Sequence, residues 1–255
     1  MIAELTEREK IILDRLSVDG SVSVGILSQD LGVSGVTIRG DLNALKEKGW
    51  INRTRGGAAP ALHRDILERQ RLNVEQKNII AKAAADLVKD GDVIMIEAGT
   101  TTSLIARYLA GKRDIHIVTN STLVFSYARM YPNLQITMTG GEFRRATESL
   151  VGPIALETID RLNVRLAFVG TDGFTLEKGM TTHLMEGAEI VKAMRAHAQT
   201  TVLTADSSKY GRIGFSHVLP LSAMDLILCD EALNRQAETE LREAGINIKL
   251  AKERS

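Results

Sequence analysis

The stretch Ser34-Gly35-Val36-Thr37-Ile38-Arg39-Gly40-Asp41-Leu42-Asn43-Ala44-Leu45-Lys46 carries the pattern on which the reading of this chain turns. Ile38, Leu42 and Leu45 recur at i, i+4 and i+7, the spacing that lines one face of an α-helix. Ser34 stands where a hydroxyl satisfies the orphan N–H groups of a first turn. If the apolar stripe is buried, Val36, Arg39, Gly40 and Asn43 face outward, with Thr37 and Lys46 on the flanks. A helix that is apolar within and polar to basic without suits the DNA major groove, where base edges are read and cations neutralise phosphates.

The flanking residues extend that unit. Thr6 followed by Glu9 is a capping-box signature, Ile12, Leu13 and Leu16 give a first helix its apolar face, and Asp19-Gly20 ends it. Ser23 caps a second helix through Leu27 and Leu31, and Gly32-Val33-Ser34 is the tight connection of a helix-turn-helix. After Gly49 the β-type run Trp50-Ile51-Asn52-Arg53-Thr54-Arg55 closes on Gly56-Gly57, which reads as a small hairpin or wing. Arg53 and Arg55 would lie beside the DNA backbone or minor groove, and Gly56-Gly57 would bring the main chain close to phosphate or form an unusual turn. Five basic residues stand against two acidic ones between Ser34 and Gly57, but over the first 60 residues the charges cancel. DNA binding must therefore come from sidedness, and a three-helix bundle with a solvated charged face is the competing reading.

At 255 residues the chain exceeds the ~150-residue domain norm and allows a small domain joined to a medium one. Thirty-two basic and 32 acidic side chains cancel, and no apolar run approaches the ~20 residues that span a bilayer. Met1 to Glu7 holds acids and no apolar signal-peptide region. Cys229 alone can form neither an intrachain disulfide nor a cysteine zinc cage, so a cytoplasmic setting is expected and Cys229 reads as a small buried hydrophobe. His63, His116, His183, His197 and His217 are scattered without ligand spacing, so no metal and no cofactor are expected. Met130, Met138, Met180, Met185 and Met194 read as core fillers.

Residues 59–78 are charged, lack strand alternation and hold Pro60 and His63-Arg64-Asp65, which reads as a partly helical linker between a unit over 1–58 and a larger one over 79–255. Beyond it helix and strand patterns alternate. Helices are expected over 75–90, 101–110, 121–130, 154–162, 189–198 and 233–244, and strands over 92–97, 115–118, 134–138, 164–169, 201–204, 226–228 and 246–250. Short apolar strands separated by helices indicate an α/β fold with a mostly parallel sheet covered on both faces.

The run Ile96-Glu97-Ala98-Gly99-Thr100-Thr101-Thr102 falls between an expected strand and an expected helix, where backbone N–H groups and hydroxyls suit an anion such as phosphate. A purely structural cap is the equal alternative for this run. Thr119-Asn120, Gly140-Gly141 with Arg144, Gly170-Thr171-Asp172-Gly173 and Ala205-Asp206-Ser207-Ser208-Lys209 stand at other expected strand ends. Strand ends are where ligands bind such sheets, although Asn120 and the glycine pairs also serve in turns. Lys209 reads either as a cation beside an anion loop or as a solvated lysine.

Val22 to Gly57, with Leu27-Ser28, Gly32-Val33-Ser34, Val36-Thr37-Ile38-Arg39, Asp41-Leu42, Leu45, Gly49, Arg53 and Gly56-Gly57-Ala58, resembles the winged helix-turn-helix of the DeoR family of bacterial sugar-metabolism regulators. Lys77 with Ile80-Ala81, Glu97 to Thr101, Thr119-Asn120, Gly140-Gly141, Gly152-Pro153, Asp172-Gly173, Thr181-Thr182 and Asp206 to Lys209 continue the resemblance to about Leu250. It implies a sugar-phosphate-sensing and oligomerising domain whose fold is similar to sugar-phosphate isomerases and coenzyme A transferases. It also implies DNA contacts from Ser34, Thr37 and Arg39 and, in the wing, Arg53 and Arg55. A phosphorylated sugar effector would sit with Gly99, Thr100, Thr101 and Thr102 around its phosphate, Lys209 as counter-charge, and Asp172, Asn120 and Arg144 toward the sugar. Gly40, Glu97 and Gly187 depart from the family pattern, which usually has a long polar side chain, Asp and Glu there.

Two functions follow. One is a regulator, a repressor of a carbohydrate-catabolism operon, whose paired heads read a symmetric operator from a homodimer or homotetramer. The other is a sugar-phosphate enzyme with a regulatory N-terminal module, in which Asp172, Glu186 or Glu189 acts as base and Lys209 as electrostatic stabiliser.

Overall fold

A computed structural model describes residues 5–253 and divides the chain into two compact units, the break falling between Arg69 and Gln70. In the first unit the Thr6 capping box forms: Glu9 N–H donates to Thr6 Oγ1 at 3.2 Å and Thr6 N–H to Glu9 Oε2 at 2.7 Å, starting α1 (Glu7–Asp19). After β1 (Val22–Ser23), Ser23 caps α2 (Val24–Leu31), and Gly32 ends it in the left-handed conformation at φ 63°. Ser34 Oγ accepts from Thr37 N–H at 3.1 Å and starts α3 (Gly35–Glu47).

β2 (Ile51–Thr54) and β3 (Gly57–Pro60) form the expected antiparallel wing, and β1 pairs with the other edge of β3. Gly56 turns the hairpin at φ 89°, which side chains other than glycine rarely adopt. Ile12, Leu13, Leu16, Leu27, Ile38, Leu42 and Leu45 are buried in one core.

The partly helical stretch over 59–78 holds the end of β3, α4 (Arg64–Arg71) and the start of α5 (Val74–Ala85), with residues 61–63 and 72–73 between them outside helix and strand. Ala58 pairs with both Val22 and Arg53, so backbone pairing builds the Ala-Ala-Pro strand without alternating side chains. Leu67 of α4 joins the core of the first unit, which is why the compact division lies later than residue 58.

The second unit continues with β4 (Val93–Ile96), α6 (Thr102–Ile105) with a 3₁₀ turn (Ala106–Leu109), β5 (Ile115–Thr119), α7 (Thr122–Ala128) and β6 (Leu134–Met138). A small hairpin, β7 (Glu142–Arg144) and β8 (Ser149–Val151), precedes α8 (Pro153–Asp160) and β9 (Val164–Val169). Then follow β10 (Gly173–Thr175), β11 (Gly179–Thr182), α9 (Met185–Ala196), β12 (Ala198–Thr204), β13 (Ser216–His217), β14 (Leu226–Asp230), α10 (Arg235–Glu243) and β15 (Ile248–Ala251).

Seven parallel strands form the main sheet in the order β15-β14-β12-β9-β4-β5-β6. Ile94 and Ile96 of β4 join a core with Ile80 and Leu109, whereas Met95 joins another with Ile159 and Met194. Alternate residues of one strand therefore fill cores on opposite faces, as the two-residue period of a strand requires. The chain winds outward from β4 to β6, then returns to β9 on the other side of β4 and winds the opposite way. The β4–β9 pair is the switch point, and the crevice beyond its C-terminal ends is where ligands bind open α/β sheets.

Several expected elements change. The helix expected over 101–110 is four residues followed by a 3₁₀ turn, and that expected from Glu189 begins at Met185. The short pairings β7–β8 and β10–β11–β13 were not expected; their two- to four-residue strands are too brief for a periodic signal. Met130 and Met185 are 70% and 62% exposed rather than core fillers, while Met180, Met194 and Cys229 are buried. No helix among the described residues is long and apolar enough to cross a membrane.

Candidate functional site

In the first unit the outward face of α3 is set by how α1 grips the inward one. Arg8 forks onto Asp41, Nε to Oδ2 at 2.6 Å and Nη2 to Oδ1 at 2.9 Å, so the acid midway along α3 is already paired with a cation of α1. Lys48 Nζ donates to both oxygens of buried Glu9 at 2.8 Å. Burial pushes the Glu9 carboxyl up, but the bonds from Lys48 and Thr6 together hold it below the usual range. These ties turn outward Ser34, Val36, Arg39, Gly40, Asn43 and Lys46, all exposed, with Thr37 half-buried beside Ser34.

The positions expected to face DNA are solvent-facing on α3, apart from half-buried Thr37. A Cβ at Gly35 would stand 3.6 Å from Arg39 Nη1 and from Val24 Cγ1, ordinary contact distances, so the guanidinium lies over the first turn of the helix without requiring glycine there. Arg53 reaches from the wing to Asn43 Oδ1 at 3.4 Å, and Arg55 and Gly56 are exposed at the turn. Gly57 is a correction: it is buried, and a Cβ there would lie 2.1 Å from Val22 O. Its bareness lets β1 approach β3, so it is not presented to phosphate.

In the second unit the switch-point crevice is clasped by Glu97 and Gly170. Glu97 follows β4, and its Oε2 accepts the N–H of Gly170, which follows β9, at 3.1 Å. Gly99 and Thr102 close the loop after β4, Thr102 Oγ1 donating to Gly99 O at 3.1 Å. The amides of Gly99, Thr100 and Thr101 donate to no carbonyl among the described residues, and such a run of unpaired N–H groups is a chemistry that suits an anion. Thr102 itself is fully buried, and a four-residue α6 supplies little dipole, so the positive potential at this strand end comes from the loop amides more than from the helix.

Asn120 departs from its expected role at the sugar. It is buried with both ends of its amide engaged: Oδ1 accepts from Ala98 N–H at 2.9 Å and Nδ2 donates to Leu150 O at 3.1 Å. It therefore pins the loop after β4 to the β7–β8 hairpin. Arg144 also differs, pairing with Glu186 at 2.9 Å and Glu142 at 3.3 Å. The backbone N–H of Glu186 and then Arg144 hold the Glu186 carboxyl below its ordinary value. Asp172 Oδ2 accepts from Thr182 Oγ1 and His183 N–H, both at 2.9 Å.

Lys209 stands in the loop after β12, two strands from β4. That loop is packed on β10 by the Phe174–Tyr210 bridge. Asn73 and Asp206 were not expected to meet, yet Asn73 Nδ2 donates to Asp206 Oδ1 at 2.8 Å. The available signal was a lone asparagine just before a helix, a residue type that tolerates the left-handed backbone seen at Asn73.

Residues 8–61 match the DeoR-like helix-turn-helix domain, and residues 72–231 match the DeoR C terminal sensor domain. The HTH-type transcriptional regulator GlpR of Haloferax volcanii is 35% identical over 246 residues, covering 95% of this chain and 96% of its own. The lactose phosphotransferase system repressor of Lactococcus lactis subsp. lactis is 33% identical over 232 residues, covering 88% of this chain and 91% of its own. A solved ribose-5-phosphate isomerase in complex with phospho-erythronic acid aligns over 54% of each chain at 19% identity and a TM-score of 0.41.

Proposed function

The chain belongs to the DeoR family of DNA-binding transcriptional regulators, and from that premise we propose that it represses a carbohydrate-catabolism operon under the control of a phosphorylated sugar. Family membership decides against the sugar-phosphate enzyme. The observation that carries the effector class is the loop at the switch point, whose Gly99, Thr100 and Thr101 amides are uncommitted while Glu97 and Asn120 hold it in shape.

In this reading the loop amides receive the phosphate and Lys209 supplies counter-charge. Asp172, fixed by Thr182 and His183, faces the sugar. Ser34, Val36, Thr37, Arg39, Asn43 and Lys46 read and clamp the operator, with Arg53, Arg55 and Gly56 beside its backbone. Two or four copies place paired heads on a symmetric operator in the cytoplasm. The sugar phosphate controls binding because its affinity differs between the arrangements of the heads that hold the operator and those that release it.

The test is fluorescence anisotropy of the full chain on its own upstream DNA and on a scrambled duplex at two salt concentrations. Preference for the upstream DNA that persists at the higher salt supports a regulator. Equal, steeply salt-dependent binding to both duplexes contradicts it.

A further inference from the structure

We propose that Val36 reads the 5-methyl group of a thymine in each operator half-site, and that Gly40 gives the helix backbone the clearance to reach it. The inference rests on the DNA-reading role of α3 and adds the base that the helix selects. Val36 lies in the first turn of α3 and is 76% exposed, although Ile38, Leu42 and Leu45 already complete the buried stripe of this helix. Its neighbours on the outer face are Ser34, Arg39 and Asn43, so it is an apolar spot set in a polar surface. In the major groove only thymine presents an apolar group, its methyl, and an aliphatic side chain is the matching contact.

Gly40 is the second, independent observation. It stands one turn after Val36, so the two lie one above the other on the same face. A Cβ at Gly40 would have no heavy atom within 4 Å, and its φ lies outside the left-handed region, so neither packing nor backbone conformation calls for glycine there. Glycine inside a helix weakens it relative to alanine, so the fold alone disfavours this choice. Gly57 is the contrast, because there a Cβ would strike Val22 O. What the bare position does give is a notch beside the valine methyls, on the face turned to the groove, into which a thymine methyl fits.

The experiment uses the full-length chain and duplexes that it selects from a randomised pool, with each thymine replaced in turn by uracil, which removes only the methyl. One thymine per half-site should lose about fourfold in affinity when replaced, the factor expected for burying one methyl-sized group. In Val36→Ala, which alters an exposed side chain, thymine and uracil at that position should bind alike. Gly40→Ala should raise the melting temperature and weaken binding to the same duplex. Uracil duplexes that all bind as tightly as the parent would overturn the methyl contact while leaving DNA reading intact, as would a uracil loss of the same size in Val36→Ala. A pool that yields no preferred duplex would overturn the operator-reading role of α3 and this inference with it.

Discussion

Asn73 donates from Nδ2 to Asp206 Oδ1 at 2.8 Å and to Ser208 Oγ at 3.1 Å, joining the start of α5 to the loop after β12. The bond explains why Asn73 stands at the head of α5 without capping it, and it holds the backbone in the left-handed conformation at φ 51°. Asp206 is 1% exposed, so a lost donor leaves a buried carboxylate oxygen with one bond fewer. Asn73→Ala should destabilise the protein by about 1–3 kcal/mol through the lost bond and the strained backbone. Asn73→Gly loses the bond without the strain and should fall about 1 kcal/mol less, as read by urea unfolding.

Glu97→Ala removes the acceptor for Gly170 N–H and should cost about 1–3 kcal/mol. Glu97→Gln keeps an amide oxygen that can accept the same N–H, and its loss should be under about 1 kcal/mol. Denaturant unfolding of the two variants separates them, and equal losses would show that the Glu97 charge, not its hydrogen bond, holds the crevice.

Gly57→Ala should be the costliest alanine substitution in the wing, at the upper end of the ~1–3 kcal/mol typical of overpacking, because the new Cβ meets a backbone carbonyl that cannot turn away. Thermal unfolding of the variant with operator binding in parallel checks this. Loss of DNA affinity with unchanged stability would instead return Gly57 to the DNA contact.

Acid should weaken the second unit through Asp92. Arg165 forks onto this buried carboxylate, Nε to Oδ1 at 2.6 Å and Nη2 to Oδ2, and holds its pKa below the ordinary value. A folded pKa lower than the unfolded one contributes stability that is complete above the unfolded value and lost as pH falls through the folded one. Melting temperature should therefore drop between about pH 5 and pH 3 more steeply in the parent than in Asp92→Asn.

The order of helices and strands was legible because α1, α3 and the strands of the main sheet carry long-range patterns: capping residues, a helical stripe, and apolar runs between polar turns. The wing and its arginines were legible from Gly56-Gly57, although the two glycines serve different ends that only pairing with Val22 distinguishes. Ala58 to Pro60 was not legible as a strand, since its pairing comes from the backbone of Val22 and Arg53. The crevice loop was visible as Gly-Thr-Thr-Thr at a strand end. Asn120 and Arg144 were visible as polar residues near it, but not their engagement with Leu150 and Glu186, because such bonds depend on where a hairpin folds back.

The most direct test of control by a phosphorylated sugar is to titrate a panel of sugar phosphates, each beside its unphosphorylated parent, into the complex of the full chain with its upstream DNA. At least one phosphorylated sugar should change DNA affinity by about fivefold or more. Its parent sugar should not, and Lys209→Ala should lose the response while binding DNA as before. Equal responses to a sugar and its phosphate, or no response across the panel, would contradict a phosphate site at the β4–β9 crevice.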